Sequence, residues 1–114
     1  MKHLTSIVIS IKGKEWHFRL FSDRVFNKVH NPEDEGNTAM TIQAKYEAHF
    51  RKSDWLPSTI KHEIGHILHF ASLTGSSDLS AEASIELMCE LIGEHTEEIL
   101  LWSSRVTENF LNHD

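Results

Sequence analysis

Alternating apolar and polar residues near the start of the chain predict a β-hairpin. Between residues 5 and 21, apolar side chains occupy every second position on both sides of a turn at residues 12–14: Ile7, Ile9, Ile11, Trp16, Phe18 and Leu20. A period of two with β-branched and aromatic residues is typical of strands, and Gly13 suits the tight turn. We therefore expect two antiparallel strands here.

The same alternation returns between residues 38 and 50 and predicts a third strand. From residue 40 to residue 50, every even-numbered position is apolar or aromatic: Met40, Ile42, Ala44, Tyr46, Ala48 and Phe50. Polar residues at positions 43, 45, 47 and 49 break the i, i+3 spacing of an amphipathic helix. Before this strand, Ser22 or Asp23 is expected to cap a short helix, and residues 31–37 form a polar loop.

Apolar residues spaced three and four apart predict helices in the second half of the chain. The first helix has an apolar stripe of Ile60, Ile64, Ile67, Leu68 and Ala71. The second has Ile85, Met88 and Ile92, with Leu91 beside them, and a break near residues 93–96 precedes a last stripe of Ile99, Trp102, Val106 and Phe110.

The ends of the first helix also carry signals. Ser53 or Asp54 is expected to cap it, Pro57 falls in its first turn, and Gly75 suits its C-terminal cap.

Together the patterns predict one α+β domain over residues 1–114. A three-stranded, mostly antiparallel sheet packs on this helix and on one or two C-terminal helices.

Composition narrows the class of protein. Of 114 residues, 39% are hydrophobic and 25% charged, and Cys89 is the single cysteine. One cysteine excludes an intramolecular disulfide framework and suits a reducing cytoplasm. The sequence predicts no signal peptide and no apolar run near the ~18 residues of a membrane span, so we expect a cytoplasmic protein without membrane association.

Charge is distributed unevenly along the chain. The net charge of −6 argues against direct binding of nucleic acid. Residues 1–61 carry 10 Lys/Arg and 7 Asp/Glu, which gives +3, whereas residues 62–114 carry 1 and 10, which gives −9. The acidic half is interpreted first as a solvated helical surface, and alternatively as a surface for a basic partner.

The segment His62-Glu63-Ile64-Gly65-His66 carries the candidate chemistry. On a helix, residues four apart lie one turn above each other, so His62 and His66 can bind one zinc ion. Glu63 lies roughly 100° further round the helix, where it can act as the general base toward a zinc-bound water. This is the pattern of a zinc peptidase.

A hydrolytic zinc site needs a third protein ligand, and the following residues offer several candidates: His69, Glu82, Glu86, Glu90 and His95. His69 is about 10.5 Å along the helix axis from His62, so a regular helix cannot bring both to one ion. Glu82 lies three residues before Ile85 on the apolar stripe, where a carboxylate needs a partner or a metal. We therefore favour Glu82, with Glu86 as the alternative and His69 as an outer contact.

The oxyanion stabiliser is not identified by the sequence. His95 and Tyr46 are the candidates, although each residue type is more often structural. The chain also supports a rival function, a non-catalytic acidic binding protein that is stabilised by zinc and sequesters a basic partner.

The motif residues resemble a known family. His62-Glu63-Ile64-Gly65-His66, followed by Glu82-Ala83-Ser84, is similar to the ImmA/IrrE type of gluzincin metallopeptidase and to small phage-encoded zincin-like proteins. In that family a Glu-Ala-Asn or Glu-Ala-Asp segment supplies the third ligand; here serine replaces the last residue. The resemblance implies Zn²⁺ held by His62, His66 and Glu82, with Glu63 as catalytic base. It also implies a phage or mobile-element context and a protein substrate of the transcriptional-regulator kind.

Overall fold

The computed structural model describes residues 2–30, 39–72 and 81–113; within those ranges the side chains of residues 72, 81–85, 87 and 88 are not described. Its first half holds the strands β1 (Thr5–Ile11), β2 (Lys14–Phe21), β3 (Ala39–Ile42) and β4 (Glu47–Arg51), with helix α1 (Asp23–Val29) between β2 and β3. Its second half holds the helices α2 (Pro57–Ser72), α3 (Ala81–Glu94) and α4 (Thr96–Leu111). The prediction of an α+β fold is confirmed.

The N-terminal hairpin is confirmed with its predicted turn. β1 and β2 pair antiparallel, with Ile9 opposite Trp16 and Ile11 opposite Lys14. Lys12 and Gly13 both have positive φ, 51° and 80°, as the common two-residue hairpin turn requires. The short helix α1 is confirmed as well, because the Ser22 hydroxyl accepts the Val25 N–H at its N-terminus.

The predicted strand over residues 38–50 is wrong in its middle. A 3₁₀ turn over Gln43–Lys45 divides it into β3 and β4. Tyr46 then takes a left-handed conformation with φ 54° and ψ 49°, which reverses the chain. As a result β3 and β4 pair antiparallel, with Thr41 opposite Ala48 and Ile42 opposite Glu47.

The sheet therefore has four strands and mixed pairing, where three mostly antiparallel strands were expected. Its order is β1-β2-β4-β3. β4 runs parallel to β2, with Leu20 opposite Phe50, so β4 occupies an interior position and β3 becomes an edge strand. The parallel pair cannot be joined by a tight turn, and the chain crosses through α1 and β3 between them.

One face of the sheet and the helices α2, α3 and α4 form a common core. Its fully buried side chains come from β1, β2, β4, α2 and α4, and include Ile11, Phe18, Phe50, Ile64 and Val106. The apolar stripe predicted for α2 is buried at Ile60, Ile64, Ile67 and Leu68. Pro57 is the first residue of α2, as expected, but the predicted caps are wrong: Asp54 pairs with Arg51, and the Ser53 N–H donates to Asp23.

The C-terminal helices separate where the sequence predicts. α3 ends at Glu94 and α4 begins at Thr96, whose hydroxyl donates to the Ile92 carbonyl and closes the end of α3. The stripe of α4 is confirmed, since Ile99, Val106 and Phe110 are buried. The stripe of α3 is wrong at its end, because Leu91 is buried and Ile92 is 48% exposed. The predicted C-cap at Gly75 lies outside the described residues.

Within the described ranges, no helix combines the length and the apolar character that crossing a membrane requires.

Candidate metal centre

Helix α2 presents His62, Glu63 and His66 together, beside the edge strand β3. The fully buried Ile60, Ile64, Ile67 and Leu68 fix the rotation of the helix against the core. This rotation leaves His62 and His66 exposed, one turn apart, while Glu63 faces inward and is only 4% exposed. One ligand atom from each of the three residues lies within 4.8 Å of the others.

The two histidines have the geometry of a ligand pair. Their Nε2 atoms are 3.0 Å apart, and the ring planes are nearly perpendicular at 84°. Two imidazole nitrogens bound at ~2.0–2.1 Å to one tetrahedral zinc would be separated by roughly 3.3 Å. The residues therefore fit a zinc ion with a small adjustment. Without a metal, the same geometry allows an N–H···N hydrogen bond between the rings.

Glu63 is enclosed between α2 and the edge strand β3. Its Oε1 accepts a hydrogen bond of 3.2 Å from the Thr41 hydroxyl, and its Oε2 lies 4.0 Å from His62 Nε2. A buried carboxylate needs such partners because its removal from water is costly. The carboxylate is thus held beside the ligand nitrogens. Sequence reasoning missed Thr41, since no local pattern links residues 41 and 63.

The predicted third ligand falls on a side chain that is not described. Glu82 belongs to α3, but the position of its carboxylate lies outside the described part of the structure. Its choice rested on a stripe that ends at Ile92, and Ile92 is exposed. Glu86 is exposed, and among the described side chains it does not join the group of His62, Glu63 and His66. Glu82 stays a prediction.

His69 does not join the histidine pair, as the length of a regular helix predicts. α2 is continuous from Pro57 to Ser72, so His69 lies seven residues and about two turns beyond His62. Its ring is half-buried, and its Nε2 is enclosed without a hydrogen-bond partner among the described residues.

The two candidate oxyanion stabilisers have other contacts. The Tyr46 ring packs edge-on against Trp16 at 5.2 Å, and the Lys14 ammonium lies over the Tyr46 ring, 5.8 Å from its centroid. His95 precedes α4, and its Nδ1 is 2.9 Å from a Glu98 carboxylate oxygen. Among the described contacts, neither residue touches the His62–Glu63–His66 group, so a role in stabilising an oxyanion stays a prediction.

An apolar groove opens beside His62. It encloses about 360 Å³ and is lined by Ser58, Lys61, His62, Ile92, Thr96, Ile99 and Leu100. Ile92, which the sequence placed on a buried stripe, is exposed and forms part of the wall of this groove. The groove adjoins the His62–Glu63–His66 group, since His62 belongs to both.

A second polar cluster lies on the other face of the sheet, where α1 packs. The His49 ring lies between Glu47 and His30: Nε2 is 2.7 Å from the Glu47 carboxylate, and Nδ1 is 3.1 Å from His30 Nε2. Burial lowers the pKa of His49, although its bond to Glu47 acts in the opposite direction. Burial and the neighbouring His49 likewise lower the pKa of His30.

Glu47 is the anion of this cluster. Burial alone would raise the pKa of Glu47, but the hydrogen bond with His49 and the charge of Arg19 outweigh it and lower the pKa overall. An ionised Glu47 accepts from His49 Nε2, so a neutral His49 must accept from His30. The directions of both hydrogen bonds are therefore fixed: His30 donates to His49, and His49 donates to Glu47.

The chain was also compared with known proteins. It matches no family model, no curated protein and no solved structure. The likeness to ImmA/IrrE metallopeptidases therefore rests on the motif residues, and the function is argued from the geometry of the His62–Glu63–His66 group.

Proposed function

We propose that the chain is a zinc-dependent metallopeptidase of the gluzincin kind. The observation that carries this proposal is the arrangement on α2: two exposed histidines with Nε2 atoms 3.0 Å apart, and a buried glutamate beside them. A structural zinc site does not require an enclosed carboxylate next to the ligands. In a hydrolytic zinc site of the His-Glu-x-x-His kind, the glutamate acts as the general base.

Different residues of the chain have different roles in the proposed hydrolysis. His62 and His66 would hold the zinc ion, with Glu82 as the predicted third ligand and Glu86 as the alternative. Zinc supplies a Lewis acid at such a site and makes water acidic enough to lose a proton near pH ~7. Glu63 accepts that proton as the water attacks the peptide carbonyl, and then donates it to the leaving amine.

Two surfaces beside the site support a peptide as the substrate. β3 is an edge strand, and its Thr41 reaches Glu63, so an extended peptide paired with β3 would pass the catalytic group. The available edge is short, because β3 ends at Ile42 and the 3₁₀ turn begins at Gln43. The groove beside His62 offers apolar walls to a substrate side chain.

The substrate class comes from the resemblance to ImmA/IrrE proteins. A cytoplasmic regulatory protein, in a phage or mobile-element context, is the proposed target. The action would be in trans on another chain.

Replacing the base tests the proposal. We expect Glu63→Gln to keep zinc at the wild-type ratio in elemental analysis and to reduce hydrolysis by about 10²–10⁴-fold, since a positioned base contributes that much. Protein purified without a histidine tag avoids false metal counts. The exposed Glu97→Gln on α4 is the control and should behave like wild type.

The same variant can identify the partner. Zinc-loaded Glu63→Gln should retain a substrate that wild-type protein cleaves and releases. Absence of stoichiometric zinc from the wild type, or full activity of Glu63→Gln, would contradict the peptidase proposal.

A non-catalytic binding protein is the second candidate, and the charge distribution favours it. Residues 62–114 carry a net charge of −9, and Glu86, Glu90, Glu94, Glu97 and Glu98 are exposed on α3 and α4. Such a surface would attract a basic partner. If Glu63→Gln retains both partner binding and biological activity, this second function is correct and zinc has a stabilising role.

A further inference from the structure

The two oxygens of the Glu63 carboxylate have different surroundings. Oε1 accepts the hydrogen bond from the Thr41 hydroxyl at 3.2 Å. Oε2 lies 4.0 Å from His62 Nε2, one of the two proposed ligand nitrogens. The side chain of Glu63 is enclosed, with only 6% of its surface accessible. Its orientation is therefore set by its protein partners and not by bulk water.

Thr41 owes its position to the register of the sheet. It lies opposite Ala48, which is fully buried on the core face of β4. Since partners across a ladder project to the same face, the Thr41 side chain projects toward the helices, where α2 carries Glu63. A strand paired with β4, rather than a loop, thus holds the hydroxyl.

We infer that Thr41 is a positioning residue for the catalytic base. Its hydroxyl holds Oε1, which leaves Oε2 turned toward the histidines as the oxygen that takes the proton from water. A hydrogen bond to a carboxylate is stronger than one between neutral groups, so it restricts rotation of the group effectively. Proton transfer needs contact at ~2.6–3.2 Å, which a freely rotating carboxylate satisfies less often. The inference rests on the proposed peptidase function.

The test compares Thr41→Val with Thr41→Ser. Valine keeps the shape and strand preference of threonine but removes the donor, whereas serine keeps the donor. With a quenched fluorogenic peptide that the wild type cleaves, chosen from a mixed library, Thr41→Val should lower kcat about tenfold or more, because small misplacements are costly. KM and zinc content should be unchanged, and Thr41→Ser should recover most of the wild-type kcat.

Thr5→Val is the matched control. Thr5 lies on the other edge strand, and its hydroxyl donates a hydrogen bond of the same length, 3.2 Å, to Asn109. This variant loses the same kind of bond far from Glu63 in the fold, so it should leave kcat unchanged. A general loss of stability would affect both valine variants, whereas loss of positioning affects one.

The outcomes distinguish failure of the positioning role from failure of the peptidase function. If Thr41→Val retains the wild-type kcat while Glu63→Gln is inactive, the positioning role is wrong and the peptidase function stands. If Thr41→Ser is as slow as Thr41→Val, the hydroxyl is not the cause and the positioning role is also wrong. If wild type hydrolyses no peptide in the library, both proposals fail. Should Thr41→Val not fold by circular dichroism, Thr41→Ala against Thr41→Ser decides the same question.

Discussion

The residues of the His-Glu-x-x-His segment differ sharply in their exposure. His62 exposes 69% of its side chain and Glu63 only 6%, although they are neighbours in sequence. The difference follows from the 100° step of the helix, which turns one residue to solvent and the next toward β3. Exposed histidines are accessible to metal and substrate, and an enclosed glutamate is oriented by its neighbours.

Also at the residue scale, the Glu47–His49–His30 cluster predicts how stability depends on pH. The pKa values of His49 and His30 are lowered from 6.5 in the folded chain, so the unfolded chain binds their protons more tightly. Their contribution to stability is therefore complete above pH 6.5 and is lost as pH falls through the folded pKa values. Urea unfolding of metal-free protein should show a falling free energy between pH 7.5 and pH 5.

A variant isolates the cause of this pH dependence. His49→Gln keeps a polar side chain that cannot titrate in this range, so its stability should change less with pH than that of wild type. His113→Gln, near the C-terminal end, is the control and should keep the wild-type slope. A slope in His49→Gln equal to that of wild type would show that other groups cause the effect.

At the scale of elements, the sequence predicted those parts of the fold that local periodicity determines. The hairpin, the buried face of α2 and the stripe of α4 each follow from neighbouring residues, and all are confirmed. The division of residues 38–50 was missed because Gln43–Lys45 and Tyr46 carry none of the glycine, proline or asparagine signals of a turn. The parallel pairing of β2 with β4 depends on residues about thirty positions apart, which no local pattern reports.

Local sequence patterns also predicted only part of the candidate site. His62, Glu63 and His66 lie on one helix, so their spacing alone predicts their grouping. The Thr41 contact and the groove formed by α2, α3 and α4 depend on tertiary packing, and the sequence indicated neither. The prediction of a buried stripe on α3 is wrong at Ile92, because this residue lines an open groove, where an apolar side chain need not be buried.

The third zinc ligand is predicted to come from helix α3. Glu82→Ala should lower zinc affinity strongly and Glu86→Ala only slightly, because the loss of one of three protein ligands weakens a zinc site much more than the loss of an outer residue. Competition with a chromophoric chelator measures both affinities. The reverse order would identify Glu86 as the ligand and would place the ligand one turn further along α3.

At the scale of the whole molecule, a zinc ion bound by α2 and α3 would join two helices that the chain connects through residues 73–80. A ligand that binds only the folded chain stabilises it by about 2.7 kcal/mol at a hundred times its dissociation constant. We therefore expect EDTA to lower the unfolding temperature, and added zinc to restore it. The variant His62→Ala, which removes a proposed ligand, should make the unfolding temperature insensitive to EDTA. No effect of EDTA on the wild type would contradict a bound zinc ion.

The parallel pairing of β2 with β4 has a consequence for the order of folding. The pairing of His62 with His66 needs only one turn of α2. The Thr41–Glu63 bond needs more of the fold, because β3 is held by β4, and β4 must pair with β2, which precedes α1 in the chain. Contacts between residues far apart in sequence form more slowly than local ones. During refolding we expect the circular-dichroism signal of the helices to return earlier than the proposed peptidase activity. The delay between these two recoveries would measure how long the sheet takes to close around Glu63.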